Sequence, residues 1–260
     1  MKKWVLGTVP YLNALPLIWA LERRDDVELV RLLPSQLGKR LASGELHASL
    51  SPVFDVLNGV GEAILGDAIV GATREVRSVL LFHRRPIEEL RSVALDTSSH
   101  SSVNLTRVLL RDFYGVNPNF VDAPPDLDAM LSGCDGALLI GDPALEAARR
   151  CGDWQILDLA RAWHERTGLS FTFAAWTGRR GLEENEGRAL AAILDDTRDA
   201  GLQNIEIIVR ENPTRSPLAP AIRESYLREA IEYRFSPAHQ NGLREFARRL
   251  EKPFPPLLQP

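Results

Sequence analysis

The feature of this sequence that most restricts its fold is the alternation of short apolar runs with segments of helical spacing. Runs rich in Val, Leu and Ile recur at Trp4–Val9, Val27–Leu33, Ala48–Ser51, Ala68–Ala72 and Arg77–His83. The stretches between them repeat apolar residues three and four apart, the pattern of βα units that feed a parallel sheet. Helices are expected to begin near Ala14, Ser35 and Pro52, with the Ser35 hydroxyl as an N-cap. A second set follows Pro86: strand Ser92–Leu95, helix Ser101–Phe113, strand Asn119–Asp122, helix Asp126–Leu131, strand Gly136–Ile140, helix Pro143–Cys151 and strand Trp154–Asp158. This reads as a βαβαβαβ module inside the chain. Leu169–Trp176 reads as a returning strand. Beyond Gly181 the pattern is helical: Leu182–Ala200, a proline-marked break at Asn212–Pro217, Ile222–Phe235, then Pro237–Leu250 capped by Ser236. The closing PFPPLLQP is expected to strap over a lobe.

The class is therefore α/β, with two lobes and a central cleft. Residues 1–87 and 174–260 make a discontinuous lobe I and residues 88–173 an inserted lobe II, with crossovers near Phe82–Pro86 and Phe173–Thr177. A chain of 260 residues suits one large or two modest domains. Its 31 basic and 35 acidic side chains leave a net charge of −4, without the electrostatic footprint of a nucleic-acid binder. An anionic small ligand stays open, because local donors decide there. Cys134 and Cys151 lie in no CxxC pair or zinc-like array, so neither a disulfide framework nor a structural metal is expected, and both read as buried small apolar groups. The opening MKKWVLGTVPYLN has too short an apolar run for a secretory segment, and no stretch reaches the roughly 20 apolar residues that span a bilayer. The expected address is the cytoplasm, with no membrane contact.

In open α/β sheets, ligands gather beyond the carboxyl ends of the strands. The first such junction, GTVPYLNALPL, holds Tyr11 and Asn13, and Asn13 is either a polar contact for a ligand or the cap of the next helix. The second, LDTSSHSSVNLTRVLL, crowds Thr97, Ser98, Ser99, Ser101 and Ser102 at the entry of a helix. Hydroxyls and free amides there form an anion site, to which the macrodipole adds about 0.3–1 kcal/mol. Capping alone needs one or two hydroxyls, so this cluster is the strongest local signal. The third, LLIGDPAL, sets Asp142 before Pro143, a pattern shared with ordinary capping. Ser78 opens an apolar strand near the proposed crossover. His100 is a loop histidine beside the hydroxyls, and His47, His83, His164 and His239 share no metal-like spacing. No GxSxG elbow, Walker loop or GxGxxG occurs. The residues by themselves lead to an anion-binding protein of two lobes.

Taken in order, VPYLNALPL, RSVLLF, ALDTSSHSSVNLTRVLL, LLIGDPAL, LDLARAWHERTGLSFTFAAW and YLREAIEYRFSPAHQNGLREFARRL resemble the chorismate dehydratase family of the futalosine route to menaquinone. The resemblance implies a fold similar to type II periplasmic binding proteins, used as an enzyme without cofactor or metal. It implies a hydro-lyase that converts chorismate to 3-[(1-carboxyvinyl)oxy]benzoate and water. Asn13 and Ser78 fall on positions that contact substrate in the family and are its expected catalytic residues. Tyr11, Thr97, Ser98, Ser101, Ser102 and Asp142 are the expected substrate-binding residues, the hydroxyl cluster suiting one carboxylate. The motif residues include no convincing His or Glu base, so the substrate's own enolpyruvyl carboxylate is the expected acceptor of the ring proton. His100, His47 and the SPV string at Ser51 depart from the family pattern. Two other readings stay open: a dihydroxynaphthoate synthase of the same pathway, whose Ser-Pro-Cys-Pro-type opening is missing here, and a non-catalytic cytoplasmic binding protein for an aromatic carboxylate. A monomer and a homodimer are equally compatible with the sequence. A dianionic substrate is expected to meet hydroxyls, amides and an arginine at the strand ends.

Overall fold

The computed structural model describes residues 3–212 and 217–260, apart from the side chains of residues 34 and 35. The break expected at Asn212–Pro217 falls on residues 213–216 and so lies outside the described residues.

The amino-terminal units alternate as expected. They are β1 (Trp4–Thr8), α1 (Leu15–Ile18), β2 (Val27–Arg31), α2 (Pro34–Ala42), β3 (Ala48–Pro52), α3 (Val53–Leu57) and β4 (Ala63–Ala72). Then come β5 (Val79–His83), β6 (Ser92–Asp96), α4 (His100–Phe113), β7 (Asn119–Ala123), α5 (Leu127–Gly133), β8 (Gly136–Ile140), α6 (Gly141–Ala147), β9 (Gln155–Asp158) and α7 (Leu159–Thr167). The chain returns through β10 (Phe171–Gly178), α8 (Glu184–Gln203), α9 (Ile205–Glu211), α10 (Pro220–Ser225), β11 (Glu232–Arg234), α11 (Pro237–Arg249) and β12 (Leu257–Leu258).

Two sheets result. The first has the order β11-β4-β10-β3-β1-β2, with β12 added on β4, and the second the order β7-β6-β8-β5-β9. β1 runs parallel to β2 and β3, whereas β10 runs antiparallel to β3 and β4. The inner strands β3, β5 and β8 are buried at every residue; β5 and β8 read as nearly unbroken apolar runs, whereas β3 carries Ser49 and Ser51, whose buried hydroxyls meet at 2.7 Å. The outer strands β2 and β7 carry exposed residues.

Several expectations are corrected. β5 was expected in the first unit, but it inserts between β8 and β9 and pairs antiparallel with both. The four strands and three helices of the expected βαβαβαβ module are present, with β5 added to their sheet as an antiparallel strand. The sheets part the chain at residues 73–78 and 168–170, not near Phe82–Pro86 and Phe173–Thr177. The expected helix over Ile222–Phe235 breaks into α10, a wide π turn at Tyr226–Ala230 and the short strand β11, because Glu232 and Arg234 pair with β4. α2 begins at Pro34 with Leu33 as its N-cap, so Ser35 lies inside the helix; proline's fixed φ suits a first turn. Ser236 does occupy the N-cap of α11, but its hydroxyl bonds His239 Nδ1 at 2.9 Å and caps no amide. Cys151 is exposed, and Cys134, at the end of α5, is half-buried against the apolar cluster that includes Leu131 and Leu139. The closing strap is present: β12 lies along β4, and the Pro256 carbonyl accepts from the Ile64 amide at 2.9 Å.

At the two crossovers the hydroxyls of Thr73 and Ser170 meet at 2.8 Å, and Glu232 accepts from the Thr73 amide and hydroxyl at 3.0 and 2.9 Å. The turn that carries Asn13 is fixed from behind by α8, which crosses α1 at Gly201. A Cβ there would lie 1.9 Å from the Pro16 carbonyl oxygen, so only glycine fits.

Candidate active site

Strand ends of both sheets converge on one cavity that opens to solvent. Its apolar wall includes Val70, Val76, Val79 and Phe173, and its polar wall is Tyr11, Asn13, Ser98, Ser99 and Ser102. Among the described residues no charged side chain lines it, so the arginine expected to meet the substrate is not found there.

The first junction behaves differently from a helix cap. Tyr11 is the N-cap of a 3-10 turn, Leu12–Ala14, and Asn13 lies inside that turn. Asn13 therefore caps nothing, and its side chain lines the cavity. Burial pushes the Tyr11 phenol pKa up, and the charges of Asp96 and Asp142 act in the same direction. The Tyr11 ring lies flat against the backbone at Gly141, whose φ of 62° is left-handed and whose Cβ, if present, would be 3.2 Å from the ring.

At the hydroxyl cluster the roles separate. The Ser98 hydroxyl and amide both donate to Asp96 Oδ1, at 2.6 and 2.9 Å. Ser99 is the N-cap of α4; its Oγ takes the Ser102 amide at 3.3 Å and donates to Ser102 Oγ at 2.8 Å. Ser101 turns the other way, and its hydroxyl accepts the Phe54 amide at 3.2 Å, tying α4 to α3. Thr97 is exposed at an outer mouth shared with Leu33, Pro124, Pro125 and Pro143. Asp142 is off the inner wall as well. It accepts from the Leu12 amide at 3.4 Å and so couples the first turn of α6 to the Asn13 turn.

Ser78 is fully buried one residue before β5 and, unlike Val76 and Val79 beside it, does not line the cavity. It accepts the Tyr226 phenol proton at 2.7 Å, and its carbonyl accepts the Gly141 amide, also at 2.7 Å. The backbone before it is constrained: Arg77 has a φ of 58°, and Asp158 holds the amides of Val76 and Arg77 at 3.0 and 2.8 Å. The sequence reading did not single out Tyr226 or Asp158. Tyr226 carried no signal, being one aromatic in an expected amphipathic helix. Asp158 was legible as a cap only to a reading that found α7.

His100 faces away from the cavity, and its Nδ1 lies 2.7 Å from Asp55 Oδ1. That bond raises its pKa above the ordinary 6.5. A raised folded-state value means that the pair's contribution is complete below about pH 6.5 and fades as pH rises through the raised value. The His100 and Asp55 side chains are 40% and 12% exposed, so the contribution is about 0.2–1 kcal/mol. The melting midpoint should fall slightly between about pH 6 and pH 8, and Asp55→Asn should flatten that slope. An unchanged slope in the variant would remove the pair as its cause. No group of three His, Cys, Asp or Glu among the described residues is gathered to hold a metal ion.

Comparisons with known proteins bear on the family and the fold. A family model described as menaquinone biosynthesis matches residues 4–252. The chain is 32% identical over 276 aligned positions to chorismate dehydratase of Thermus thermophilus, covering 100% of both chains. A crystal structure of an Archaeoglobus fulgidus protein superposes with a TM-score of 0.79 at 16% identity, covering 96% of this chain and 97% of that one. The periplasmic aliphatic sulphonate binding protein SsuA of Escherichia coli superposes with a TM-score of 0.65 at 16% identity, covering 96% and 87%. At such identities these structures speak for the fold alone, the two-sheet periplasmic-binding-protein type expected from the sequence. With the family match spanning both sheets and a relative aligned from end to end, the chain belongs to the chorismate dehydratase family of menaquinone biosynthesis.

Proposed function

We propose that the protein is a hydro-lyase that removes water from chorismate to give 3-[(1-carboxyvinyl)oxy]benzoate. The observation that carries this reading, beside the family, is a cavity whose polar wall consists of neutral donors at the ends of strands from both sheets. Chorismate presents two carboxylates, a ring hydroxyl and an adjacent acidic ring hydrogen, and loss of water makes its ring aromatic. One carboxylate is placed at the start of α4, against the Ser102 hydroxyl and the His100 and Ser101 amides of the first turn, while the Ser98 and Ser99 hydroxyls, whose protons go to Asp96 and Ser102, hold that turn in shape. Each hydrogen bond to the charged group contributes about 1.5–3 kcal/mol. Tyr11 closes the cavity beside it, and Thr97 meets the substrate only as it enters. Ser101 and Asp142 act through the scaffold.

With no acid or base side chain on the wall, the ring proton passes to the substrate's enolpyruvyl carboxylate. The hydroxyl then departs as water by taking that proton back from the carboxyl group, with Asn13 holding the leaving oxygen and Ser78 supporting the site from behind the wall. The units built on the two sheets act as lobes that close on the substrate, with their boundaries at the crossovers of residues 73–78 and 168–170. No helix of the described residues is long and apolar enough to cross a membrane, and the proposed address is the cytoplasm, as suits a biosynthetic reaction.

The test is direct. Purified protein is mixed with chorismate and the products are read by mass spectrometry, with saturable formation of a species lighter by one water as the expected result. Saturable binding without turnover would favour a binding protein for aromatic acids. Conversion of a cyclic futalosine derivative without dehydration of chorismate would favour the synthase.

A further inference from the structure

Beside the cavity, α3 and α4 meet at two adjacent points. α3 follows β3 of the first sheet and α4 follows β6 of the second, so each contact joins the units built on the two sheets. One is the His100–Asp55 bond at 2.7 Å, and the other runs from the Phe54 amide to the Ser101 hydroxyl at 3.2 Å. His100 and Ser101 open the turn that carries Ser102 to the cavity, and Pro52, one residue before α3, lines the same cavity. Separation of α3 from α4 would therefore pull the wall apart at this place. An ionised Asp55 can only accept, so His100 Nδ1 keeps its proton in either charge state and the second proton goes to Nε2. The bond thus survives deprotonation, but the attraction of opposite charges does not. Among the described residues, Asp55 is the charged group that acts on His100. β8 and β10, which also pack on α4, carry no charged side chain. α7 brings Arg161, His164, Glu165 and Arg166, of which Arg161 pairs with Glu75 and Arg166 lies over Tyr114, past the far end of α4. Asp96 is taken by Ser98 and the Ile140 amide.

We propose that Asp55 and His100 are positioning residues for substrate binding: as a clasp between the two units, they hold the start of α4 against the cavity, where the substrate carboxylate is bound. This rests on the dehydratase reading above. The clasp is tightest with the second proton on His100 and loosens as pH rises through the raised value, so substrate affinity falls toward alkaline pH. Neither side chain lines the cavity, whose nearest residues are Pro52, Ser99 and Ser102, which confines the effect to binding.

The experiment measures kcat and KM for chorismate between about pH 6 and pH 8 in the wild type, Asp55→Asn, His100→Gln and the double variant. Carboxylates titrate near pH 4, so the substrate stays dianionic across that range. The expected wild-type KM rises about two- to fivefold with pH, the scale of a partly exposed ion pair. Asp55→Asn and His100→Gln should each hold KM near the wild-type alkaline value at every pH, and the double variant should be no worse than either, as for residues that act as one unit. The kcat of Asp55→Asn should stay within about twofold of wild type. A flat KM in the wild type, a slope that persists in both single variants, or a loss confined to kcat would each overturn the proposal. Turnover of chorismate with a flat KM would sink the clasp alone. A wild-type protein that does not dehydrate chorismate would sink the dehydratase reading, and the clasp is then read from the Kd for chorismate by titration calorimetry, with the same slopes expected. Absent binding or a pH-independent Kd would then sink the clasp as well.

Discussion

Alanine at Ser78 is expected to lower chorismate turnover by about 10²–10⁴-fold, the range for a positioned proton-transfer group, and alanine at Asn13 is expected to fall in the same range. Ser78 has no solvent exposure and receives the Tyr226 proton, so its removal also leaves a buried donor without an acceptor. That costs about 1–3 kcal/mol of stability, well inside the 5–15 kcal/mol that folded domains ordinarily hold. The variant should remain folded by circular dichroism while kcat collapses. Near wild-type turnover in both Ser78→Ala and Asn13→Ala would remove the pair from the mechanism.

The largest stability effect is expected at Asp158. Its carboxylate accepts four backbone amides: Val76 and Arg77 before Ser78, at 3.0 and 2.8 Å, and Ala160 and Arg161 in the first turn of α7, at 3.0 and 3.1 Å. Burial pushes its pKa up even against those four bonds. Asp158→Ala removes a helix cap worth about 1 kcal/mol and strands the two amides of the Ser78 segment, at about 1–3 kcal/mol each. The sum is about 3–5 kcal/mol once neighbouring losses overlap. Because the Arg77 backbone is held left-handed by the same carboxylate, the Ser78 hydroxyl should lose its place and activity should fall with stability. Asp158→Asn can still cap α7 through its carbonyl oxygen and should lose distinctly less. Denaturant titration separates the two, and an Asp158→Ala midpoint equal to wild type would show that these amides find other partners.

Much of this architecture was legible in the chain because inner strands such as β5 and β8 leave nearly unbroken apolar runs. Gly136–Ile140 was placed to the residue, and Trp4, Ser92, Asn119 and Pro237 were found as element starts. Partnership was not legible. The run VLLFH is equally apolar in either sheet, and only the tertiary structure sends β5 between β8 and β9. The junctions announced themselves through clustered hydroxyls, which located Ser98, Ser99 and Ser102, but spacing along a helix could not tell that Ser101 faces α3. Tyr226 stayed hidden because its meaning lies in a bond to a residue 148 positions away.

The position of β10 has a consequence for how the protein is made. It is the strand between β4 and β3 in the first sheet, yet it is synthesised only after all five strands of the second. While the ribosome is still adding the inserted unit, β3 and β4 have no strand between them, and each presents an open edge of the kind that invites wrong pairing. The second sheet, with all its strands contiguous in the chain, can close first. The first sheet is then completed around a strand delivered by the folded insert, a non-local closure of the kind that slows folding.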